Sequence, residues 1–162
     1  MQRIMVVSDT HRQHTNLKKA LKKEGLIDML IHLGDAEGEE DYIRELAGCE
    51  VKMIAGNNDY FSQLRREAVI KIGRYNVLLT HGHSYYVSVG LEYIKEEAIG
   101  RSMDIVMFGH THRPVIEIYD EVTLINPGSL SYPRQNDKKP TYIMMEIDSD
   151  ENVNYTLKHV NK

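Results

Sequence analysis

The sequence of 162 residues carries 24 acidic and 20 basic side chains, 41% hydrophobic residues and a formal charge of −4. This is the size and balance of one globular domain with a real core, which excludes a disordered chain, and the net negative charge excludes a protein that coats duplex nucleic acid. Cys49 is the only cysteine, so no intrachain disulfide or cysteine-rich zinc site can form. No apolar run reaches the roughly 20 residues of a membrane span, and a cytoplasmic protein without a membrane partner is expected.

Residues 4–7 form a short apolar run stopped by Ser8 and Asp9, which predicts a buried strand ending in a loop. From Thr15, Leu17, Ala20 and Leu21 recur at helical spacing, and Gly25 is expected to close the helix as a left-handed cap. The lysine pairs at 18–19 and 22–23 are its solvated face. Residues 29–33 read as a second strand, broken by Gly34-Asp35. Tyr42, Ile43, Leu46 and Ala47 form a second helix behind an acidic first turn over 37–41. Residues 51–55 make a third strand that ends at Gly56-Asn57-Asn58-Asp59. Three strand, loop and helix or turn units in succession predict an α/β sheet.

The rhythm then changes. Residues 68–72 and 75–80 read as a hairpin about Gly73-Arg74, ending at His81-Gly82-His83. Leu91, Ile94, Ala98 and Ile99 share one helical face, closed by Gly100. Residues 105–108 are a strand that runs into Gly109-His110-Thr111-His112, and strands follow over 115–119, 122–126, 141–147 and 153–160. No linker interrupts this, so one domain over residues 1–162 is expected, with two sheets face to face and helices outside.

Five polar clusters each follow an apolar strand: Asp9-Thr10-His11, Gly34-Asp35, 56–59, His81-Gly82-His83 and 109–112. Loops beyond the carboxyl ends of strands in α/β sheets converge on one crevice, so these clusters are expected to meet. Imidazole, carboxylate and amide donors without thiolate suit manganese, iron or zinc in an octahedral or near-octahedral site. Alternation along an extended chain would aim Asp9 with His11, and His110 with His112, into one pocket. The glycines at 34, 56, 82 and 109 would allow sharp turns or close approach to ions. The donors exceed the needs of one ion, which points to two ions and to the chemistry of phosphate-cleaving enzymes.

In order, the motifs read DTH, GD, GNND, H and GHTH. The sequence thereby resembles the calcineurin-like metallophosphoesterases, whose motifs run D-x-H, G-D, G-N-H-D/E, H and G-H-x-H. Its length and the Asn126-Pro127-Gly128-Ser129 loop are similar to the small bacterial and archaeal phosphodiesterase branch, which also contains the retromer scaffold subunit. The resemblance spans essentially the whole chain and implies an αββα sandwich of two mixed β-sheets flanked by helices. It implies one metal ion on Asp9, His11, Asp35 and His112, and a second on Asp35, Asn57, His81 and His110, with Asp35 bridging. The implied cofactors are two divalent transition-metal ions, manganese foremost, with zinc, nickel and iron as alternatives. The implied reaction is in-line attack on a small phosphodiester by a metal-activated hydroxide.

The sequence departs from that pattern at Asn58, which stands where the family motif has a proton-donating histidine; an amide can bond a phosphate oxygen but cannot give up a proton at neutral pH. Asp35, Asn58 and His83 are the candidate catalytic residues. Asn58, His83 and Arg134 are the candidate substrate contacts, His83 alternatively bonding a metal ligand from behind. Asp59 is assigned to that outer position too. His14, His32 and His159 are read as structural or surface residues, and Tyr85 and Tyr86 as base-stacking or packing groups. Two rival functions stand beside the enzyme: a non-catalytic scaffold, and a phosphate- or nucleotide-binding module without turnover. Self-association is left open.

Overall fold

The computed structural model describes residues 1–160. In chain order the elements are β1 (Gln2–Val7), α1 (Thr15–Glu24), β2 (Met29–His32), α2 (Glu40–Ala47), β3 (Glu50–Met53), β4 (Glu67–Ile72), β5 (Tyr75–Thr80), α3 (Glu92–Gly100), β6 (Ile105–Met107), β7 (Val115–Ile118), β8 (Thr123–Asn126), β9 (Thr141–Ile147) and β10 (Val153–His159). They build two five-stranded sheets, ordered β10-β9-β1-β2-β3 and β4-β5-β6-β8-β7. Both are mixed. In the first, β1, β2 and β3 run parallel, with β9 antiparallel to β1 and β10 antiparallel to β9. In the second, β5, β6 and β8 run parallel between the antiparallel edge strands β4 and β7.

The period of two along each strand divides the apolar residues among three cores. Ile4 and Val6 of β1, Ile31 of β2 and Ile143 and Met145 of β9 face Val77 and Leu79 of β5 and Ile105 and Met107 of β6, forming the layer between the sheets. The alternate residues Met5, Val7, Leu30, Tyr142 and Met144 pack outward against Leu17 and Ala20 of α1 and Ile43 of α2. Leu78, Val106 and Leu124 pack outward against Ile94 and Ala98 of α3. The order of layers is therefore helix, sheet, sheet, helix. Strands buried on both faces must be apolar throughout, which is why they read as continuous runs rather than as alternation. Among the described residues no helix is long and apolar enough to cross a membrane.

The elements fall where the sequence places them, and the differences lie at their ends. Leu33, Ile54, Ala55 and Phe108 leave the ladders early to begin the loops of the polar clusters. Gly25 leaves α1 with φ 70° and ψ −129°, not the left-handed helical geometry expected of it; Gly48, at φ 61° and ψ 22°, supplies that cap for α2. The acidic turn before α2 is shorter than expected. Glu37 and Gly38 have positive φ, and the helix begins only at Glu40.

The carboxylate of Glu24, at the C-terminal end of α1, sits where the helix dipole disfavours a negative charge. Its side chain is only 4% exposed and pairs with Arg3 Nη2 at 2.8 Å and Lys158 Nζ at 3.0 Å. Tyr142 Oη donates to it at 2.7 Å. Burial alone would raise its pKa, but the bonds from Tyr142, Lys158 and Arg3 outweigh burial and hold it below the usual glutamate value. One carboxylate thus ties α1 to β1, β9 and β10. A glutamate with a depressed folded pKa stabilises above its unfolded pKa of about 4.3 and loses that stabilisation as the pH falls through the folded value. Glu24→Gln is therefore expected to lower unfolding stability by about 1.5–3 kcal/mol at pH 7. In denaturant titrations the gap from the natural protein should close in acid below that carboxylate range, and a gap independent of pH would refute the ion-pair account.

Candidate metal centre

The parallel strands β1, β2 and β3 of one sheet and β5 and β6 of the other present their carboxyl ends at one edge of the sandwich. The five clusters emerge there and their side chains interlock. His112 Nε2 lies 3.1 Å from Asp9 Oδ1, and His11 Nε2 lies 3.6 Å from the same oxygen and 3.7 Å from Asp35 Oδ2. His11 Nε2 and His112 Nε2 are 3.3 Å apart. On the other side, His81 Nε2 is 3.3 Å from Asp35 Oδ2 and 3.6 Å from Asp9 Oδ1. His110 Nδ1 is 3.1 Å from Asn57 Oδ1. Five of the seven expected metal ligands, Asp9, His11, Asp35, His81 and His112, are thus brought together, and the His110–Asn57 pair lies beside them, its imidazole centroid 5.2 Å from that of His81. Donors about 2.0–2.2 Å from a common cation lie roughly 3–3.5 Å from one another, the scale of these separations.

The donor set fits such cations on a second ground. Asp9 Oδ1 and His81 Nε2 are buried and have no hydrogen-bond partner, although both side chains are wholly excluded from solvent. Two unpartnered polar atoms facing one another are costly unless something of opposite character joins them. Two triads have metal-binding spacing: Asp9, His11 and His112, and Asp9, Asp35 and His81. Asp9 is common to both, while Asp35 reaches a histidine of each.

The backbone explains how the ligands converge, and it does so otherwise than strand alternation predicts. Asp9, His11, Asp35, His110 and His112 have φ of 56°, 45°, 62°, 72° and 59°. These residues are left-handed, not extended. Asp and His tolerate that region better than most side chains, and its cost is held by the surrounding structure. Asp9 N donates to Gly34 O at 3.0 Å, His11 N to Asp35 O at 2.9 Å and Gly109 N to His81 O at 3.0 Å. Ser129 Oγ donates to Asp9 O at 2.8 Å, which gives the 126–129 loop its place. A Cβ on Gly56 would collide with the Asp35 carboxylate, and one on Gly109 would collide with the Ser8 hydroxyl and lie 2.7 Å from Asp9 Oδ2, which that hydroxyl bonds. At these two positions the glycines make room for carboxylates.

Outer contacts orient the rings. His81 Nδ1 faces Leu33 O at 2.7 Å and His112 Nδ1 faces Tyr132 O at 2.7 Å. A carbonyl can only accept, so each Nδ1 carries hydrogen and each neutral ring offers a free Nε2 lone pair to the centre. Glu37 Oε2 plays the same part for His11 Nδ1 at 3.0 Å. Asp59, expected in the outer layer, accepts the N–H groups of Asp35, Glu37 and Gly56, each at 2.7 Å, and so pins two ligand loops together.

The charge balance is strongly coupled. Burial opposes ionisation of Asp9, but the imidazoles of His11, His112 and His81 facing it hold its carboxyl well below the usual range. Burial likewise opposes ionisation of Asp35, and His81 and the Asn58 N–H overcome it. Burial disfavours a proton on His81, yet Asp35 and Asp9 raise its pKa to about 8. His11 is raised against burial by Asp9, Asp35 and Glu37, whereas His110 is lowered by burial and by His81. Two carboxylates thus attract positive charge to this edge, and a cation can replace the proton.

His32 has the structural role expected of it. Fully buried and lowered to about 4 chiefly by burial, it accepts from Gly34 N at 3.1 Å and contacts Thr10 Oγ1 at 3.0 Å. His14 is buried against the Tyr42 ring, and His159 lies on the surface near Asp137.

The three candidate substrate residues stand differently. Asn58 N and Nδ2 donate to Asp35 Oδ1 and Oδ2, each at 2.9 Å. One N–H of its amide is thereby engaged with the Asp35 carboxylate. His83 adjoins His81 and His110 with ring centroids at 5.6 and 6.0 Å. Arg66 Nη1 donates to His83 Nε2 at 3.2 Å while the buried Nδ1 has no partner. Burial, then the charges of His81, His110 and Arg66, lower the His83 pKa. The Arg134 side chain is not among the ligands; it lines a separate cavity of about 480 Å³ with Arg113, Thr111 and Phe108. Tyr85 is buried and bonds Glu67 at 2.7 Å, a packing role, while Tyr86 is 64% exposed. Sequence reasoning missed Glu37 and Arg66, which carry no motif, and only tertiary contact reveals them.

Residues 2–150 match the model of the calcineurin-like phosphoesterase superfamily domain. A probable metallophosphoesterase of Bacillus subtilis is 29% identical over 150 residues, covering 91% of this chain and 85% of that protein. A phosphodiesterase of Methanocaldococcus jannaschii is 30% identical over 145 residues, covering 78% and 82%. Among solved structures, a predicted phosphoesterase of Streptococcus pneumoniae has the same fold, with a TM-score of 0.79, 24% identity and coverage of 98% and 97%. Vps29 of Entamoeba histolytica superposes with a TM-score of 0.77, 25% identity and coverage of 99% and 100%. With its αββα layers, its interlocked donors and a family match over nearly its whole length, the chain belongs to the calcineurin-like phosphoesterase superfamily.

Proposed function

We propose that the protein is a phosphodiesterase that works with two divalent transition-metal ions, manganese foremost. The observation that carries the reading is the pair of buried, unpartnered donors, Asp9 Oδ1 and His81 Nε2, inside a seven-residue donor set. Asp9, His11, His112 and Asp35 would hold one ion, and Asp35, Asn57, His81 and His110 the other. Bound there, such ions supply an activated water nucleophile near neutral pH and neutralise charge on the phosphoryl oxygens during in-line displacement. The name of the Methanocaldococcus jannaschii relative supports a diester substrate. A non-catalytic scaffold on this fold is the alternative, and turnover of a diester by the metal-loaded protein separates the two.

The chain's own residues set the remaining chemistry. Asn58 holds both oxygens of Asp35 and fixes that carboxylate between the two sets of histidines. Its amide has no proton to give. Arg66 occupies His83 Nε2, and the positive charges around His83 favour its neutral form, so this ring is a poor acid. The leaving alkoxide or phenoxide therefore departs largely unprotonated.

The first expected outcome concerns ligand roles. Equilibrium dialysis with manganese should give two ions per chain. Asp35→Asn should lose both, because the shared carboxylate contributes to each set, and Asp9→Asn should retain one. The reverse pattern would make Asp9 the bridge, as its membership of both metal-sized triads allows, and no bound metal in the natural protein would overturn the reading altogether.

The second expected outcome concerns leaving groups. General acid catalysis is worth about 10²–10⁴-fold, and without it the rate should rise steeply with the acidity of the departing alcohol. The manganese-loaded protein should cleave aryl diesters far faster than alkyl diesters, read from a phosphodiester series of graded leaving-group pKa. A flat series would show that a side chain, with His83 the first suspect, does deliver the proton.

A further inference from the structure

The phosphoesterase reading leaves open what the diester carries, and the surface beside Asn58 bears on it. There the chain opens a cavity of about 380 Å³ lined by Arg12, Glu37, Glu40, Asn58, Tyr60 and Phe61 among others, within the range of small-ligand sites. Two of its lining residues, Asn58 and Glu37, bond side chains of the donor cluster. Asn58 bonds Asp35, Glu37 bonds His11, and Arg12 Nε donates to Glu37 O at 2.9 Å. The cavity is therefore one residue layer away from the Asp35 and His11 side chains.

Tyr60 and Phe61 are its unusual members. They are 77% and 100% exposed, so among the described residues little covers their rings. Their backbone is nonetheless held in place, because it follows Asp59, whose carboxylate takes the N–H groups of Asp35, Glu37 and Gly56. Two aromatic rings on a fixed loop at the rim of a polar cavity form one half of a stacking site, since every nucleobase presents a π-face. The lining contains Glu37 and Glu40 with Arg12 as its single cation. That balance disfavours a second phosphate and favours a neutral planar group with N–H donors on its edge. A protein partner would need a broader apolar surface than two rings set among charged and polar side chains.

We propose that Tyr60 and Phe61 bind the nucleobase of a nucleotide-type phosphodiester, a substrate class that rests on the phosphoesterase reading and narrows it. The test compares adenosine 5′-monophosphate with ribose 5-phosphate, which share phosphate and sugar, in equilibrium binding to the manganese-loaded protein. The natural protein should prefer the nucleotide by about 5- to 100-fold, the range of base–aromatic stacking. Phe61→Ala and Tyr60→Ala should each reduce that ratio toward one while ribose 5-phosphate binds as before, and Phe61→Trp should keep it. Both rings are exposed, so the variants should fold, and thermal unfolding checks this.

Equal binding of the two probes by the natural protein, or an equal loss of both in Phe61→Ala, would overturn the proposal. So would an equal gain of phenyl phosphate over methyl phosphate, which would mark a general aryl site. Sedimentation that showed a dimer dissociating in Phe61→Ala, with no nucleotide preference, would make the rings a contact between copies and also overturn it. Hydrolysis of bis(p-nitrophenyl) phosphate by the same preparations separates the two levels. No turnover by the natural protein counts against the enzymatic reading, whereas the nucleotide preference alone decides the role of the rings.

Discussion

Everything at the functional edge follows from two carboxylates, Asp9 and Asp35, held out of water within reach of the same histidines. Buried charge of one sign is tolerated only when opposite charge or strong donors face it. Here the facing groups are imidazoles from three separate loops, and the balance moves the Asp9 and Asp35 pKa values down and that of His81 up to about 8. Such an arrangement has an inherent affinity for cations. A proton on His81 answers part of it, and a cation among the same donors would answer the rest.

Holding those carboxylates in place demands a stiff frame, and the two sheets supply it. The parallel strands end together, so loops far apart in the chain emerge side by side. The inter-sheet layer of Ile4, Val6, Ile31, Val77, Leu79, Ile105 and Met107 fixes one sheet against the other. Five ligand residues then accept left-handed backbone conformations. Their backbone groups and side chains are engaged from outside by Asp59, Ser129 and Tyr132 O. The cost of an unfavourable φ is thus carried by a network anchored in the strands, which is how strain comes to be concentrated where the donors converge.

The same outer network connects the centre with its surroundings. Glu37 and Asn58 each touch a ligand and also line the cavity that holds Tyr60 and Phe61. Arg66 ties His83 to the loop before β4. Residues near the centre are therefore shared between holding ligands and shaping the approach of a substrate. Asn58 shows this most plainly, since it bonds both oxygens of Asp35 and also lines the cavity.

Sequence by itself determined the strands, because doubly buried strands must be apolar along their whole length, and it picked out the candidate donors, because Asp, His and Asn directly after such strands are chemically conspicuous. It also carried the family, through the order of those motifs. It could not decide how the ligands point. Alternation along an extended chain accounted for Asp9 with His11 and for His110 with His112, yet those residues are left-handed, a choice imposed by hydrogen bonds from loops distant in sequence. Nor could it show that Asn58 faces Asp35, that Arg134 lines a different cavity, or that Glu37 and Arg66 belong to the site. Those facts depend on which loops lie within about 3 Å of one another, the range of a hydrogen bond. Only the packing of one sheet on the other sets that distance.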